Sequence, residues 1–104
     1  MENKEYRLNI FPMACRDMEQ IFDYIAVELC NPDSAIKQIN DFEKAFKSVC
    51  AFPESCPKIN NEYVKDKSLR KLIVNNYIAF YRVKESEIQV IRVVYGMRDY
   101  ESFL

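Results

Sequence analysis

Apolar and polar residues alternate near the start of the chain. Tyr6, Leu8 and Ile10 stand against Arg7 and Asn9, the period of a half-buried strand. Pro12 ends that run, and proline is tolerated in the first turn of a following helix. From there the period lengthens. Met18, Ile21, Phe22, Ile25, Ala26 and Leu29 recur at i, i+3 and i+4, which predicts a helix with one buried stripe. Arg16, Asp17, Glu19, Gln20, Asp23 and Glu28 fall to its wet face. Asn31-Pro32-Asp33 reads as a stop and a restart: a cap, a residue suited to the first helical position, and a carboxylate for the positive end of the dipole. Ala35, Ile36, Ile39, Phe42, Phe46, Val49 and Cys50 carry a second apolar stripe, ended by Phe52-Pro53. So short a link predicts an antiparallel helical hairpin.

Residues 53–67 have no period and read as a loop. Three β-patterned runs come next, at 68–74, 76–84 and 87–95. Asn75-Asn76 suits a tight turn because Asn tolerates positive φ, and Glu85-Ser86 turns the next hairpin. Gly96 is read as a residue of free backbone at the exit of the sheet. The order β-α-α-β-β-β predicts an α+β domain spanning 1–104, its helical hairpin packed on one face of a small, mainly antiparallel, twisted sheet.

Composition narrows the class. A chain of 104 residues with 49% hydrophobic and 30% charged residues supports one core and an ordinary polar surface. There is no basic segment followed by an apolar run at the N-terminus, and no apolar stretch nears the roughly 20 residues that span a bilayer. A cytoplasmic location without membrane partners is expected. Cys15, Cys30, Cys50 and Cys56 include no C-x-x-C pair and the chain has no histidine, so neither a zinc site nor any other metal or cofactor site is expected. Cys30 and Cys50 are read as small core residues. Residues 1–62 hold seven Lys/Arg against eleven Asp/Glu, whereas residues 63–100 hold eight against four. That polarity fits an anionic partner for the sheet half, or charge complementarity between helices and sheet.

The basic half places Arg70, Lys71, Arg82, Arg92 and Arg98 on or beside the three strand runs. Guanidinium groups there bring planar, bidentate donors suited to phosphate or carboxylate. With Tyr81 and Tyr95 these five cations form the candidate set for binding a target or a phosphate. Arg92, flanked by Val90, Ile91, Val93 and Val94, needs a partner or a solvent-facing side. Ion pairing, tail pinning and cross-strand packing are the structural alternatives for the set, with Tyr77 and Tyr81 at strand spacing in an aromatic run.

Element order and motifs together resemble the RelE/ParE superfamily of toxins from type II toxin–antitoxin systems. The matching pieces are Ala14-x-x-Asp17-Met18-x-x-Ile21-x-x-Tyr24-Ile25, Asn31-Pro32-x-x-Ala35 and Phe52-Pro53. Next come Leu69-Arg70-x-Leu72-x-Val74-x-Asn76-Tyr77-x-x-Phe80-Tyr81-Arg82-Val83 and Ile91-Arg92-Val93-Val94-Tyr95-Gly96-x-Arg98-Asp99. Nearly the whole chain is covered, and the pattern looks closer to the ParE-type, plasmid-stabilisation branch. Many members of that branch have His where Tyr95 stands. The resemblance implies a growth inhibitor that binds and poisons DNA gyrase and is neutralised by a cognate antitoxin. The RelE-like branch implies instead a ribonuclease that enters the ribosome and cuts mRNA. A non-toxic, antitoxin-binding family member is the third reading.

RNA cleavage by 2′-hydroxyl attack needs a base, an acid and cations around the phosphorane. Histidine, the usual base near neutral pH, is absent. In the ribonuclease reading the resemblance makes Arg70, Lys71 and Arg98 the catalytic set. It also places an Arg on the middle strand, one residue after Tyr77, and a Tyr in the tail. Here those places hold Ile78 and the hydroxyl-free Phe103, with Tyr100 falling early.

Overall fold

Two prolines and an asparagine set the helical half of the protein, described from a computed structural model over residues 5–96. Helix α1 (Pro12–Asp23) starts on Pro12 after an extended Phe11. It runs on into a π-helical turn, Tyr24–Glu28, where the Leu29 N–H donates to the Tyr24 carbonyl at 3.0 Å. Helix α2 (Pro32–Ala51) starts on Pro32, with Asn31 Oδ1 accepting the Ser34 N–H at 3.2 Å and Asp33 in the first turn. Cys30, between them, takes a left-handed φ of 51°.

The four strands are β1 (Arg7–Ile10), β2 (Arg70–Val74), β3 (Tyr77–Lys84) and β4 (Glu87–Tyr95). They lie in the order β1-β4-β3-β2, with β1 parallel to β4 and the other pairs antiparallel. Asn75 (φ 57°) and Glu85 (φ 58°) supply the left-handed residues of the two hairpin turns. Gly96 is not left-handed. Its N–H donates to the Asn76 carbonyl at 2.8 Å, and a Cβ there would sit 3.2 Å from the same oxygen. Close approach, not conformational freedom, favours glycine here.

Both faces of the sheet are covered. On one, Ile21, Ile25, Phe42, Phe46 and Val49 from the helices pack against Ala79, Tyr81, Ile88, Val90 and Val93. On the other, the loop after α2 lays Ile59, Val64 and Leu69 over Ile78, Phe80 and Val94. Residues 57–59 also pair with the outer edge of β2, through Ile59 N–H to Leu69 O (2.9 Å) and Lys71 N–H to Pro57 O (3.0 Å). A register shift between Phe80 and Tyr81 opposes Tyr81 to Val90 but Phe80 to Arg92, leaving Ile91 as the extra residue of a bulge. The helix-facing positions of β4 therefore change from even numbers (Ile88, Val90) to odd (Val93).

Four residues lie otherwise than the sequence predicts. Asp17 is buried at 9% exposure rather than wet, because it lies at core spacing between Ala14 and Ile21. Leu29 is exposed, since the π turn rotates the residues beyond it off the buried stripe; Ile36, at the start of α2, is exposed as well. Cys30 is exposed while Cys50 is buried. No helix among the described residues is long and apolar enough to cross a membrane.

Candidate functional site

Strand alternation separates the candidate cations. Arg70 lies opposite Tyr81 and Lys71 opposite Phe80, so their side chains leave β2 on opposite faces. Arg70 turns its Nη1 onto the Cys56 carbonyl at 2.6 Å. Lys71 is half-buried on the loop-covered face. Arg82 also lies on that face, giving Nε to Gln89 Oε1 (2.7 Å) and Nη1 to Asp66 Oδ2 (3.1 Å), with its guanidinium 5.9 Å from the Phe11 ring centroid. Asp66 is held below the usual carboxylate range, first by the Ser68 hydroxyl and then by the Ser68 N–H and Arg82, against the opposing effect of burial.

Arg92 answers the demand for a partner. Its Nε and Nη2 donate to the two oxygens of Asp17 at 2.7 and 3.0 Å, and Asp17 Oδ2 also accepts the Val93 N–H at 2.9 Å. The geometry comes from the topology. β1 stops at Ile10, opposite Val90, so among the described residues no strand flanks the rest of β4 on that side, and α1 supplies the acceptor. Hydrogen bonding to Asp17 makes the guanidinium still harder to deprotonate.

Beyond this ion pair a cleft of about 640 Å³ opens between α1 and β4, lined by Gln20, Tyr24, Tyr77 and Tyr95 as well as Asp17 and Arg92. Tyr77 and Tyr95 meet edge to face at 5.9 Å, and Phe42 continues the contact into the core at 5.8 Å from Tyr77. Burial, then the nearby Tyr24 and Tyr95, pushes the Tyr77 phenol above its ordinary value. Tyr95 is 44% exposed at the cleft mouth. Tyr81 is elsewhere: 1% exposed in the helix-side core, with its hydroxyl donated to the Pro53 carbonyl at 3.0 Å. Burial raises its phenol strongly. Arg98 lies outside the described residues.

The structure thus brings Arg92 and Tyr95 to one cleft, holds Arg82 beside Asp66, and sends Arg70 and Lys71 apart. Ile78, at the place the resemblance reserves for a ribonuclease cation, is 8% exposed in the apolar cluster under the loop. Periodicity alone had put Asp17 on the surface. The signal that identifies it is its spacing from Ala14 and Ile21, together with an arginine in an apolar strand. Among the described residues no cluster of His, Cys, Asp and Glu is placed to hold a metal.

A family model described as the ParE toxin of the type II toxin–antitoxin system parDE matches residues 10–100. The chain belongs to the ParE toxin family. Among solved structures, this ParE-family toxin is similar to a chain of the chromosomal ParDE toxin–antitoxin system from P. aeruginosa, with a TM-score of 0.72 and 26% identity over 88% of this chain and 97% of that one. The RelBE2 toxin–antitoxin complex from Mycobacterium tuberculosis shares the fold at a TM-score of 0.61 and 16% identity, over 88% and 98% of the two chains. So does the protein HP0894 from Helicobacter pylori, at 0.53 and 15%, over 86% and 93%. No curated protein matches. The two-helix, four-strand α+β fold is that of the RelE/ParE superfamily.

Proposed function

We propose that this ParE-family toxin inhibits growth by binding a target protein, DNA gyrase, and does not cut RNA. The observation that carries the reading is the burial of Ile78 with Phe80, Val94, Ile59, Val64 and Leu69. A nuclease of this superfamily would set a cation there, to meet a phosphate on the face of the sheet away from the helices. Here the loop closes over Ile78 and the cluster around it is apolar. The divergence of Arg70 from Lys71 and the commitment of Arg82 and Arg92 to carboxylates agree with it. We assign target contact to Lys71, Tyr95 and Arg98, a structural role to Arg70, Arg82, Arg92 and Tyr81, and no cofactor to the reaction.

A cognate antitoxin is the second partner, as the neighbouring ParDE system and RelBE2 complex support. The outer edge of β1 pairs with no strand among the described residues. Beside it Ile10, Met18, Phe22 and Ile39 line an apolar groove of about 590 Å³. An extended or helical segment of an antitoxin fits such a surface.

The test is induced expression without antitoxin, scoring DNA supercoiling and transcript integrity in the same cells. Lost supercoiling or gyrase-dependent DNA breaks with intact transcripts is the expected result. Codon-phased mRNA cuts with normal supercoiling would overturn the reading in favour of a ribosome-dependent nuclease, and normal growth with soluble protein would leave an antitoxin-binding module.

A further inference from the structure

The core-facing stripe of α2 contains one residue that does not belong to a core. Ala35, Phe42, Phe46, Val49 and Cys50 are buried there, and so is Gln38 at 8% exposure. Its Nε2 has no partner among the described residues. An orphaned buried donor destabilises a fold, and a leucine or methionine would fill the position without that penalty.

The other end of the amide accounts for its presence. Gln38 Oε1 accepts from Asn75 Nδ2 at 3.1 Å, and the same Nδ2 donates to Asp41 Oδ2 at 3.0 Å. Asp41 is in turn held by Lys37 at 3.0 Å. Asn75 is the left-handed residue that opens the β2–β3 turn. The next carbonyl, that of Asn76, receives the Gly96 N–H at 2.8 Å, and a Cβ on residue 96 would crowd that oxygen at 3.2 Å. An unbroken line of hydrogen bonds and one peptide link therefore runs from α2, through the turn, to the point where the chain leaves β4.

We infer that Gln38 and Asn75 are positioning residues: they clamp the β2–β3 turn to α2 and through it hold Gly96 against the Asn76 carbonyl, and Gln38 is kept for this at the expense of stability. Arg98 follows Gly96 by two residues in the sequence. Only the consequence for growth inhibition rests on the function proposed above.

The test uses the full chain with Gln38→Leu and, separately, Asn75→Gly, which keeps the left-handed backbone and deletes the amide. Thermal unfolding and amide hydrogen exchange are measured on each. For Gln38→Leu a Tm equal to or above that of the parent is expected, with the Gly96 amide exchanging about tenfold faster while amides in the middle of β3 are unchanged. Asn75→Gly should give the same gain at Gly96. A Gln38→Leu protein with a lowered Tm would make Gln38 an ordinary stabilising residue and overturn the inference. Unchanged exchange at Gly96 in both variants would overturn it as well. Growth inhibition by Gln38→Leu is scored in parallel, and its loss in a folded protein is expected. Persistent inhibition despite faster Gly96 exchange would leave the clamp standing and remove Arg98 from the proposed function.

Discussion

Removing the Asp17 carboxylate should be among the most damaging single changes available in α1. Its side chain is 10% exposed and that of Arg92 16%, so the pair is desolvated on both sides. Asp17→Leu deletes two charge-assisted hydrogen bonds and the acceptor of the Val93 N–H together, taking the carboxylate away from a largely buried guanidinium. Breaking a buried pair from one side costs about 3–5 kcal/mol, most of it the penalty on the charge left behind. Set against a total stability of about 5–15 kcal/mol for domains in general, this lowers the Tm by roughly 15–30 °C. Arg92→Met should cost less, because the carboxylate keeps the Val93 N–H. The double variant Asp17→Leu/Arg92→Met removes both charges and leaves only that N–H orphaned, about 1–3 kcal/mol. The two changes are therefore expected to be far from additive, with a coupling of about 2 kcal/mol or more.

Urea unfolding reads this directly. The chain has seven tyrosines and no tryptophan, so far-UV circular dichroism and tyrosine emission serve as the two probes. The reasoning is refuted if Asp17→Leu costs under about 1 kcal/mol, the range of an exposed ion pair. It is equally refuted if the single changes add to the double within about 0.5 kcal/mol.

Two further outcomes concern the face of the sheet turned away from the helices. Asp66 has its pKa lowered in the folded state, so its contribution to stability is complete above the ordinary value of 3.8 and is lost as the pH falls through the folded value. Asp66→Asn should flatten the acid limb of the stability–pH curve below about pH 4 in urea titrations, and an unchanged limb would show that the Ser68 and Arg82 contacts do not persist in solution. Ile78→Arg should not create a nuclease. It places a guanidinium among Phe80, Val94 and Leu69 and should cost at least about 3 kcal/mol, whereas a stably folded variant with new RNA cleavage would contradict the closed face.

Local signals carried most of the fold. The two apolar stripes, the Asn31-Pro32 restart and the asparagine turn act within a few residues of themselves, and apart from Leu29 and Ile36 each is found where the sequence puts it. The features that escaped detection depend on an inserted or distant residue. The π turn adds a residue to the helical count, which carries Leu29 out of the stripe. The bulge at Ile91 does the same to β4, so Val90-Ile91-Arg92-Val93-Val94 shows no alternation although its neighbours do. Ile59 and Val64 have no period because they belong to no regular element, and only the sheet beneath them gives them a common side with Leu69. The candidate site was legible in composition but not in direction. Sequence named the cations, and strand parity decided that Arg70 and Lys71 look away from each other.

The two covers of the sheet bear differently on function. The helical cover is held by Asp17 with Arg92 and by Gln38 with Asn75; Asp17 and Gln38 sit at core-like positions of otherwise apolar stripes. Apolar packing alone would tolerate small slides of α1 and α2 over the strands, because it has no direction. Two directional contacts fix the helices, α1 against β4 and α2 against the β2–β3 turn. The loop cover carries its buried contact through Ile59, Val64 and Leu69, and its fixed points are the Pro57–Lys71 and Ile59–Leu69 backbone bonds and the Asp66–Arg82 pair. A protein that acts by presenting a surface needs its exits and edges held in place. The Tyr95 cleft and the Gly96 exit both lie at the end of β4 that these polar contacts hold.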